Sequence, residues 1–240
     1  GDVTGDGVAE LITAPGPGGD NTVNIFSMSS GGDGEEIGFI AVEQIAVDDP
    51  LIGTRGLNIA SADVNADGFA DIIVSGGPKV IVYSGQDFSE LHNLTPFGTS
   101  LTEIRVAAGD VNGDGVADVV TATGPNVAPS IKVFNPLNGN VLTTIAPFES
   151  TFRGGVFVAV GDVTGDGIVE ILAAKGPGSL PQVKVFNADG IFDVSFMAFA
   201  DTFRGGVRVN TGDLDGDGIQ EMLVSTALGT SAATIFAARR

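Results

Sequence analysis

One acidic motif returns five times along this chain of 240 residues, and it constrains the fold more than any other feature. The motif is Asp-x-(Asn/Asp/Thr)-x-Asp-Gly-x-x-(Asp/Glu), and its copies begin near residues 1, 62, 109, 161 and 212. Repetition at intervals of about 50 residues is typical of a chain assembled from copies of one supersecondary unit. We therefore interpret the sequence repeat by repeat.

Each motif lies among short apolar runs that predict β-strands. In the third copy, IRVAAG (104–109) precedes the motif, and DVVTATG (118–124), IKVF (131–134) and VLTTIAPF (141–148) follow it. Runs rich in Val, Ile and Phe and bounded by Gly, Pro and Asn are typical of strands. No long stretch has the 3.6-residue apolar period of a helix, so we expect helix to be scarce.

Four short strands in each unit predict an all-β fold, a β-propeller with one antiparallel sheet per blade. We expect one domain over residues 1–240 with five visible blades, and the acidic motif between the first two strands of each blade. The first copy lacks the strand before its motif and the last copy lacks its fourth strand. The expected count is therefore eighteen strands, three in each terminal copy and four in the others. A solenoid is the alternative architecture, but its repeats are usually shorter and end in distinct caps.

The motif has the chemistry of a calcium loop. Oxygen-bearing side chains stand at positions 1, 3, 5 and 9, in the third copy Asp110, Asn112, Asp114 and Asp118. Calcium takes six to eight oxygen ligands in flexible geometry. We expect the residue at position 7, here Val116, to offer its backbone carbonyl while its side chain turns inward. Position 6 is glycine in every copy, and its freedom to adopt positive φ allows a tight wrap around an ion.

Applied to all five copies, this interpretation predicts about five calcium ions. Without a cation, the acids of one loop would repel each other by about 4 kcal/mol per pair at 4 Å and an effective dielectric constant near 20. Asp-Gly turns without metal are the simpler alternative, but five copies with oxygen atoms at the same positions disfavour it. The predicted ligands are Asp2, Thr4, Asp6, Val8, Glu10, Asp63, Asn65, Asp67, Phe69, Asp71, Asp110, Asn112, Asp114, Val116, Asp118, Asp162, Thr164, Asp166, Ile168, Glu170, Asp213, Asp215, Asp217, Ile219 and Glu221.

With their Gly-Pro turns at 16–17, 124–125 and 176–177, these units resemble FG-GAP repeats, which form the propeller of integrin α-subunits and occur in large bacterial surface proteins. The resemblance implies calcium loops between the first two strands of each blade. Thr4 and Thr164 depart from the acidic or amide residue at position 3, so weaker sites are expected there. Ala66 replaces the position-4 glycine, which predicts strain in the second loop.

Charge and length exclude some functions. The chain carries 30 acidic and 11 basic residues, a net charge of −19. Nucleic-acid binding requires a basic surface, so a nucleic-acid partner is not expected. No apolar run reaches the roughly 18 residues needed for membrane insertion. Calcium sites of the extracellular type bind at about 0.1–1 mM, which favours a secreted or cell-surface location.

The sequence offers no set of catalytic residues, so we predict a non-catalytic adhesion or recognition scaffold. The single histidine, His92, lies on a predicted outer strand, and there is no cysteine. A carbohydrate-binding propeller, a structural repeat of a large surface protein, and a polysaccharide lyase or hydrolase stay open as alternatives. Arg55, Arg153 and Arg204 recur before the motifs. They have two interpretations: binding of anionic groups such as acidic sugars, or pairing with acids of neighbouring blades.

Overall fold

The computed structural model describes residues 1–29, 38–53, 55–229 and 233–236. Within those ranges the chain is all-β, with 18 strands in five antiparallel sheets. The sheets contain three, four, four, four and three strands in chain order, so the five-bladed propeller and the strand count predicted from the repeats are confirmed. The described residues include no helix long and apolar enough to span a membrane.

Each blade is a meander in which consecutive strands are neighbours. Blade 1 contains β1 (Leu11–Thr13), β2 (Thr22–Ser29) and β3 (Gly38–Ala46); blade 2 contains β4 (Asn58–Ala62), β5 (Asp71–Gly76), β6 (Lys79–Tyr83) and β7 (Glu90–Leu94); blade 3 contains β8 (Ile104–Gly109), β9 (Asp118–Thr123), β10 (Ile131–Phe134) and β11 (Val141–Ile145); blade 4 contains β12 (Val156–Gly161), β13 (Glu170–Lys175), β14 (Gln182–Phe186) and β15 (Phe192–Met197); and blade 5 contains β16 (Val207–Gly212), β17 (Glu221–Thr226) and β18 (Ala233–Phe236).

Hydrophobic cores lie between consecutive blades, and strand alternation supplies both sides of each one. On β10, Ile131 and Val133 join the core shared with blade 4, whereas Phe134 joins the core shared with blade 2. The two faces of a strand point to opposite sides of its sheet, so one blade contributes to two cores. The second strands β5, β9 and β13 are buried along their whole length, which explains their nearly continuous apolar sequence.

Lysines on third strands hold the end of the preceding blade. The Nζ of Lys132 donates to the carbonyl of Pro96 at 2.8 Å, and the Nζ of Lys184 donates to the carbonyl of Pro147 at 2.8 Å. Each ammonium also lies near a ring of that corner, with Lys184 5.4 Å from the centroid of Phe148. These hydrogen bonds connect neighbouring blades at their outer rim.

The first strands of blades 2 to 5, β4, β8, β12 and β16, surround a central channel. The acidic loops leave the carboxyl ends of these strands, and the Gly-Pro turns meet at the opposite end of the channel. His92 lies on β7, the outermost strand of blade 2, as predicted.

The core between blades 3 and 4 gives a first prediction. Ile131 is fully buried there, so Ile131→Ala should reduce the free energy of unfolding by about 2–5 kcal/mol through lost burial and a residual cavity. Leu137→Ala, at a side chain that is 58% exposed, should change it by less than about 0.5 kcal/mol. Denaturant unfolding of both variants is the measurement. Equal losses would contradict the interblade position of Ile131.

Candidate functional site

The five motifs form the turns between the first and second strands of the blades, or the segment before β1 in blade 1. We number them as loop 1 (2–10), loop 2 (63–71), loop 3 (110–118), loop 4 (162–170) and loop 5 (213–221). In every loop the N–H of the position-6 glycine donates to Oδ2 of the position-1 aspartate at 2.8–3.0 Å. That aspartate therefore helps to fix the turn, because its carboxylate accepts hydrogen bonds from backbone N–H groups of the residues that wrap around it.

Equivalent hydrogen bonds hold the position-5 aspartate in every loop and the position-9 acid in loops 1, 2, 4 and 5. In loop 1, Asp6 Oδ1 accepts the N–H of Val8 at 2.9 Å and Glu10 Oε2 accepts the N–H of Val3 at 2.6 Å. All five position-9 acids are buried, although the loops around them are exposed. Each loop thus carries one carboxylate into the protein and leaves the others near solvent.

Two loops bring three carboxylates together. In loop 1 the oxygens of Asp2, Asp6 and Glu10 lie within 4.8 Å of one another, and in loop 5 those of Asp213, Asp215 and Glu221 do so. The predicted ligand Asp217 is not in that second group. Among the described residues, loops 2, 3 and 4 do not gather three carboxylates to this distance.

Asp118 in loop 3 is the clearest sign that a partner belongs in a loop. The residue is 1% exposed, and neither carboxylate oxygen has a hydrogen-bond partner of normal geometry. Burial, followed by the charge of Asp114, raises the pKa of Asp118 to about 6, although the backbone amides of Val111 and Asn112 partly oppose the shift. A buried carboxylate without a partner is costly, and a bound cation removes that cost. The donor set therefore fits a divalent ion that prefers oxygen ligands.

Burial also raises the pKa of two other position-9 acids, Asp71 and Glu170. In both cases the aspartates of the same loop add to the effect, and backbone hydrogen bonds oppose it. The negative potential inside these loops thus favours either a proton or a cation on the buried acid.

The threonines at position 3 are already engaged. The Oγ1 of Thr4 donates to Glu10 Oε1 at 3.0 Å, and the Oγ1 of Thr164 donates to Glu170 Oε1 at 3.2 Å. Each hydroxyl therefore orients the position-9 acid. The assignment of these threonines as metal ligands stays a prediction.

The prediction that the position-7 side chain turns inward is wrong in two loops. Ile219 is buried, but Val8 and Ile168 are 47% and 46% exposed. The reason lies in the neighbouring loop. Ile219 covers Gly165 and Phe69 covers Gly5, so closely that a Cβ added at either glycine would clash with the side chain above it. Ile219 is thus buried and Phe69 half-buried against the position-4 glycine of the preceding blade, whereas Ile168 makes no such contact with Gly113.

Backbone hydrogen bonds also join consecutive loops. The N–H of Ala70 donates to the carbonyl of Asp2 at 2.8 Å, and the N–H of Gln220 donates to the carbonyl of Asp162 at 2.8 Å. The N–H of Ala117 reaches the carbonyl of Asp63 at 3.1 Å in the same way. The first aspartate of one loop is thus fixed by the following blade as well as by its own turn.

Within the ranges that the structure describes, no ion pair links Arg153 or Arg204 to an acid of a neighbouring blade. Nη1 of Arg153 donates to the carbonyls of Ser150 and Phe152, at 2.5 and 2.7 Å. Nη1 of Arg204 donates to the carbonyls of Asp201 and Phe203. Both arginines therefore close their own turns. For Arg55, whose neighbour Thr54 lies outside the described residues, the structure shows a position at the channel mouth.

Sequence reasoning missed Arg105, Phe157 and Arg208, which line the channel. They stand at the same register of the first strands in blades 3, 4 and 5, in IRVAAG, VFVAVG and VRVNTG. The available signal was a charged residue inside an otherwise apolar strand. Its meaning depends on knowing which strand is innermost.

These blades and loops define a β-propeller in which an acidic loop follows the first strand of blades 2 to 5 and precedes β1 in blade 1. Residues 2–74 match the model of the FG-GAP-like repeat, the resemblance that the motifs predicted. A search of curated proteins gives no match.

Several solved structures are similar in fold. The exotype rhamnogalacturonan lyase YesX has a TM-score of 0.52 at 13% identity, over 88% of this chain and 48% of that chain. The Bacillus licheniformis rhamnogalacturonan lyase has a TM-score of 0.52 at 15% identity, over 89% of this chain and 50% of that chain. Saccharomyces cerevisiae Sqt1 has a TM-score of 0.54 at 10% identity, over 93% of this chain and 57% of that chain. The chain thus spans about half the length of the two lyases, and similarity at this identity shows the fold alone.

Loop 2 supplies a prediction about strain. Ala66 adopts φ 60°, a left-handed conformation that costs an L-residue about 1–2 kcal/mol. Glycine avoids this cost, but it loses more backbone entropy on folding, so the net gain from glycine is smaller. Ala66→Gly should therefore raise the free energy of unfolding by about 0.5–1 kcal/mol. Ala70→Gly in the same loop, where φ is not positive, should lower it. A glycine at position 66 that fails to stabilise the protein in urea unfolding would contradict this strain.

Asp118 supplies a prediction about pH in metal-free protein. The pKa of Asp118 is about 6 in the folded protein, above its ordinary 3.8. Its contribution to the free energy of unfolding is therefore present at acidic pH and is lost as the pH rises through 6. In the presence of a chelator, the free energy of unfolding of the wild type should fall by about 2 kcal/mol more than that of Asp118→Asn between pH 4 and pH 7. Urea unfolding at both pH values measures the difference, and Asp189→Asn, at an exposed turn, is the control. Identical pH profiles for wild type and Asp118→Asn would refute it.

Proposed function

We propose that this chain is a calcium-stabilised, non-catalytic β-propeller that serves outside the cell as a scaffold for adhesion or recognition. The observation that carries the proposal is the construction of the five loops, each of which buries one acid among further oxygen atoms. Asp118, whose two buried oxygens have no hydrogen bond of normal geometry, supports it most directly.

Calcium would supply positive charge to the loops. Loops 1 and 5 would hold it through Asp2, Asp6 and Glu10 and through Asp213, Asp215 and Glu221, and the other predicted ligands would serve loops 2 to 4. The chain itself provides the shape, since backbone amides orient the position-1 aspartates before any ion arrives. A site filled to about 100 times its dissociation constant adds roughly 2.7 kcal/mol of stability.

Recognition would then fall on the loops and the channel mouths of the propeller. A propeller fixes its connections on a scaffold of packed sheets, and binding residues commonly occur on such connections. An extracellular setting supplies calcium in the range that sites of this type require.

Carbohydrate binding is the second candidate function. It is favoured by the arginine-lined chamber at the channel end opposite the acidic loops. Two of the structural neighbours are rhamnogalacturonan lyases, so a similar fold occurs in proteins named for action on a polysaccharide. A glycan array distinguishes this candidate from protein adhesion, because only a carbohydrate-binding propeller retains signal on isolated glycans.

The calcium proposal predicts a metal-dependent melting temperature. Millimolar calcium should raise the midpoint of the wild type relative to EDTA, because the ion binds the folded loops and not the unfolded chain. Glu221→Gln, which removes one charge from loop 5, should show a smaller rise. Asp189→Asn removes a charge outside the loops and should show the full rise. Equal midpoints in calcium and EDTA would remove the metal from the proposed function.

A further inference from the structure

The axial channel contains two chambers that meet at one layer of side chains. Their volumes are about 630 and 620 Å³, the size range of small-molecule sites. Asn58, Arg105, Phe157 and Arg208 line both chambers. These four residues occupy the same register of consecutive first strands, each four positions before the start of its acidic motif. We call them the channel layer.

Phe157 joins the two cations of the channel layer. The guanidinium carbon of Arg105 lies 3.5 Å from the centroid of the Phe157 ring, and that of Arg208 lies 5.3 Å from it. Stacking on an aromatic face fixes the plane of a guanidinium and leaves its edge for hydrogen bonds. Two positively charged forks are therefore held around one ring on the channel wall.

Arg105 is held with one donor unused. The residue is 8% exposed, and its Nε donates to Glu103 Oε1 at 2.8 Å. Its Nη1 is buried and has no hydrogen-bond partner, although it lies beside Gly155, where an added Cβ would stand 3.0 Å away. An unsatisfied buried donor is unfavourable, and more so when it is charged. An acceptor that enters the channel and reaches this group would be bound favourably.

Charge around the channel is opposite in sign to that of the whole chain. Four of the 11 basic residues, Arg55, Arg105, Arg153 and Arg208, line the chamber at the Gly-Pro end, and Glu103 is the single acid among its lining residues. Within the described residues, no ion pair involves Arg208. A concave site lined by one sign of charge concentrates ligands of the other sign.

We propose that the channel layer binds the carboxylate group of an organic anion, with Arg105 and Arg208 as its donors. Guanidinium groups match a carboxylate in bidentate geometry, and such charge-assisted hydrogen bonds are about twice as strong as neutral ones. This inference specifies the ligand chemistry of the recognition role proposed above and rests on that role. It does not depend on metal in the acidic loops.

Calorimetric titration of the full chain in saturating calcium tests the site with three probes: acetate, glucuronate and glucose. Glucuronate should bind, and glucose, which lacks the carboxylate, should not. Arg208→Gln should weaken glucuronate binding by about tenfold or more, because one charged donor is lost. Arg204→Gln removes the same charge outside the channel lining and should bind as the wild type does. Arg105→Lys keeps the buried charge but not the fork, and should also bind more weakly.

The outcomes separate the sources of the carboxylate and the two proposals. Binding of acetate and glucuronate alike indicates a site for a bare carboxylate, and binding of glucuronate alone indicates a sugar acid; both support the inference. Equal binding of glucose and glucuronate, no binding of either anion, or an unchanged affinity in Arg208→Gln overturns it. A calcium-dependent melting temperature without anion binding would leave the scaffold proposal standing and remove only this one.

Discussion

The fold depends on one carboxylate per repeat that holds the turn from the inner strand to the next. The position-1 aspartate accepts backbone N–H groups of its own loop, and in three pairs of blades its carbonyl accepts an N–H from the following loop. Local wrapping and blade-to-blade connection thus meet at the same residue. The cost is electrostatic, because the turn places further acids, one of them buried, around that aspartate.

The molecule separates its charge along the channel axis. Acidic loops occupy one end, whereas arginines line the other, within a chain whose net charge is −19. The first strands connect the two ends, so the residues before and after one short strand belong to opposite electrostatic environments. A cation at one end and an organic anion at the other are therefore compatible occupants of the same ring, and each would be bound by its own set of residues.

Much of the fold was predictable because each sequence repeat forms a blade that packs on its neighbours in the same way. Strand alternation puts Ile131 and Phe134 of IKVF on opposite faces, and the structure places them in different interblade cores. The loop geometry was less predictable. The pattern treats all five copies alike, but in the part of the chain that the structure describes only loops 1 and 5 gather three carboxylates within 4.8 Å. The burial of Ile219 and the exposure of Ile168 depend on the adjacent blade, which no single repeat encodes.

The sequence by itself determined the five units, their strands and the oxygen-rich turns, since these follow from local periodicity and from glycine and aspartate chemistry. Tertiary structure alone decided which strand faces the axis, and with it the channel layer. Asn58, Arg105, Phe157 and Arg208 lie about 50 residues apart in the chain, and only ring geometry brings them to one level. The physical reason is that strand alternation assigns a side chain to a face, whereas the packing of other blades determines what that face meets.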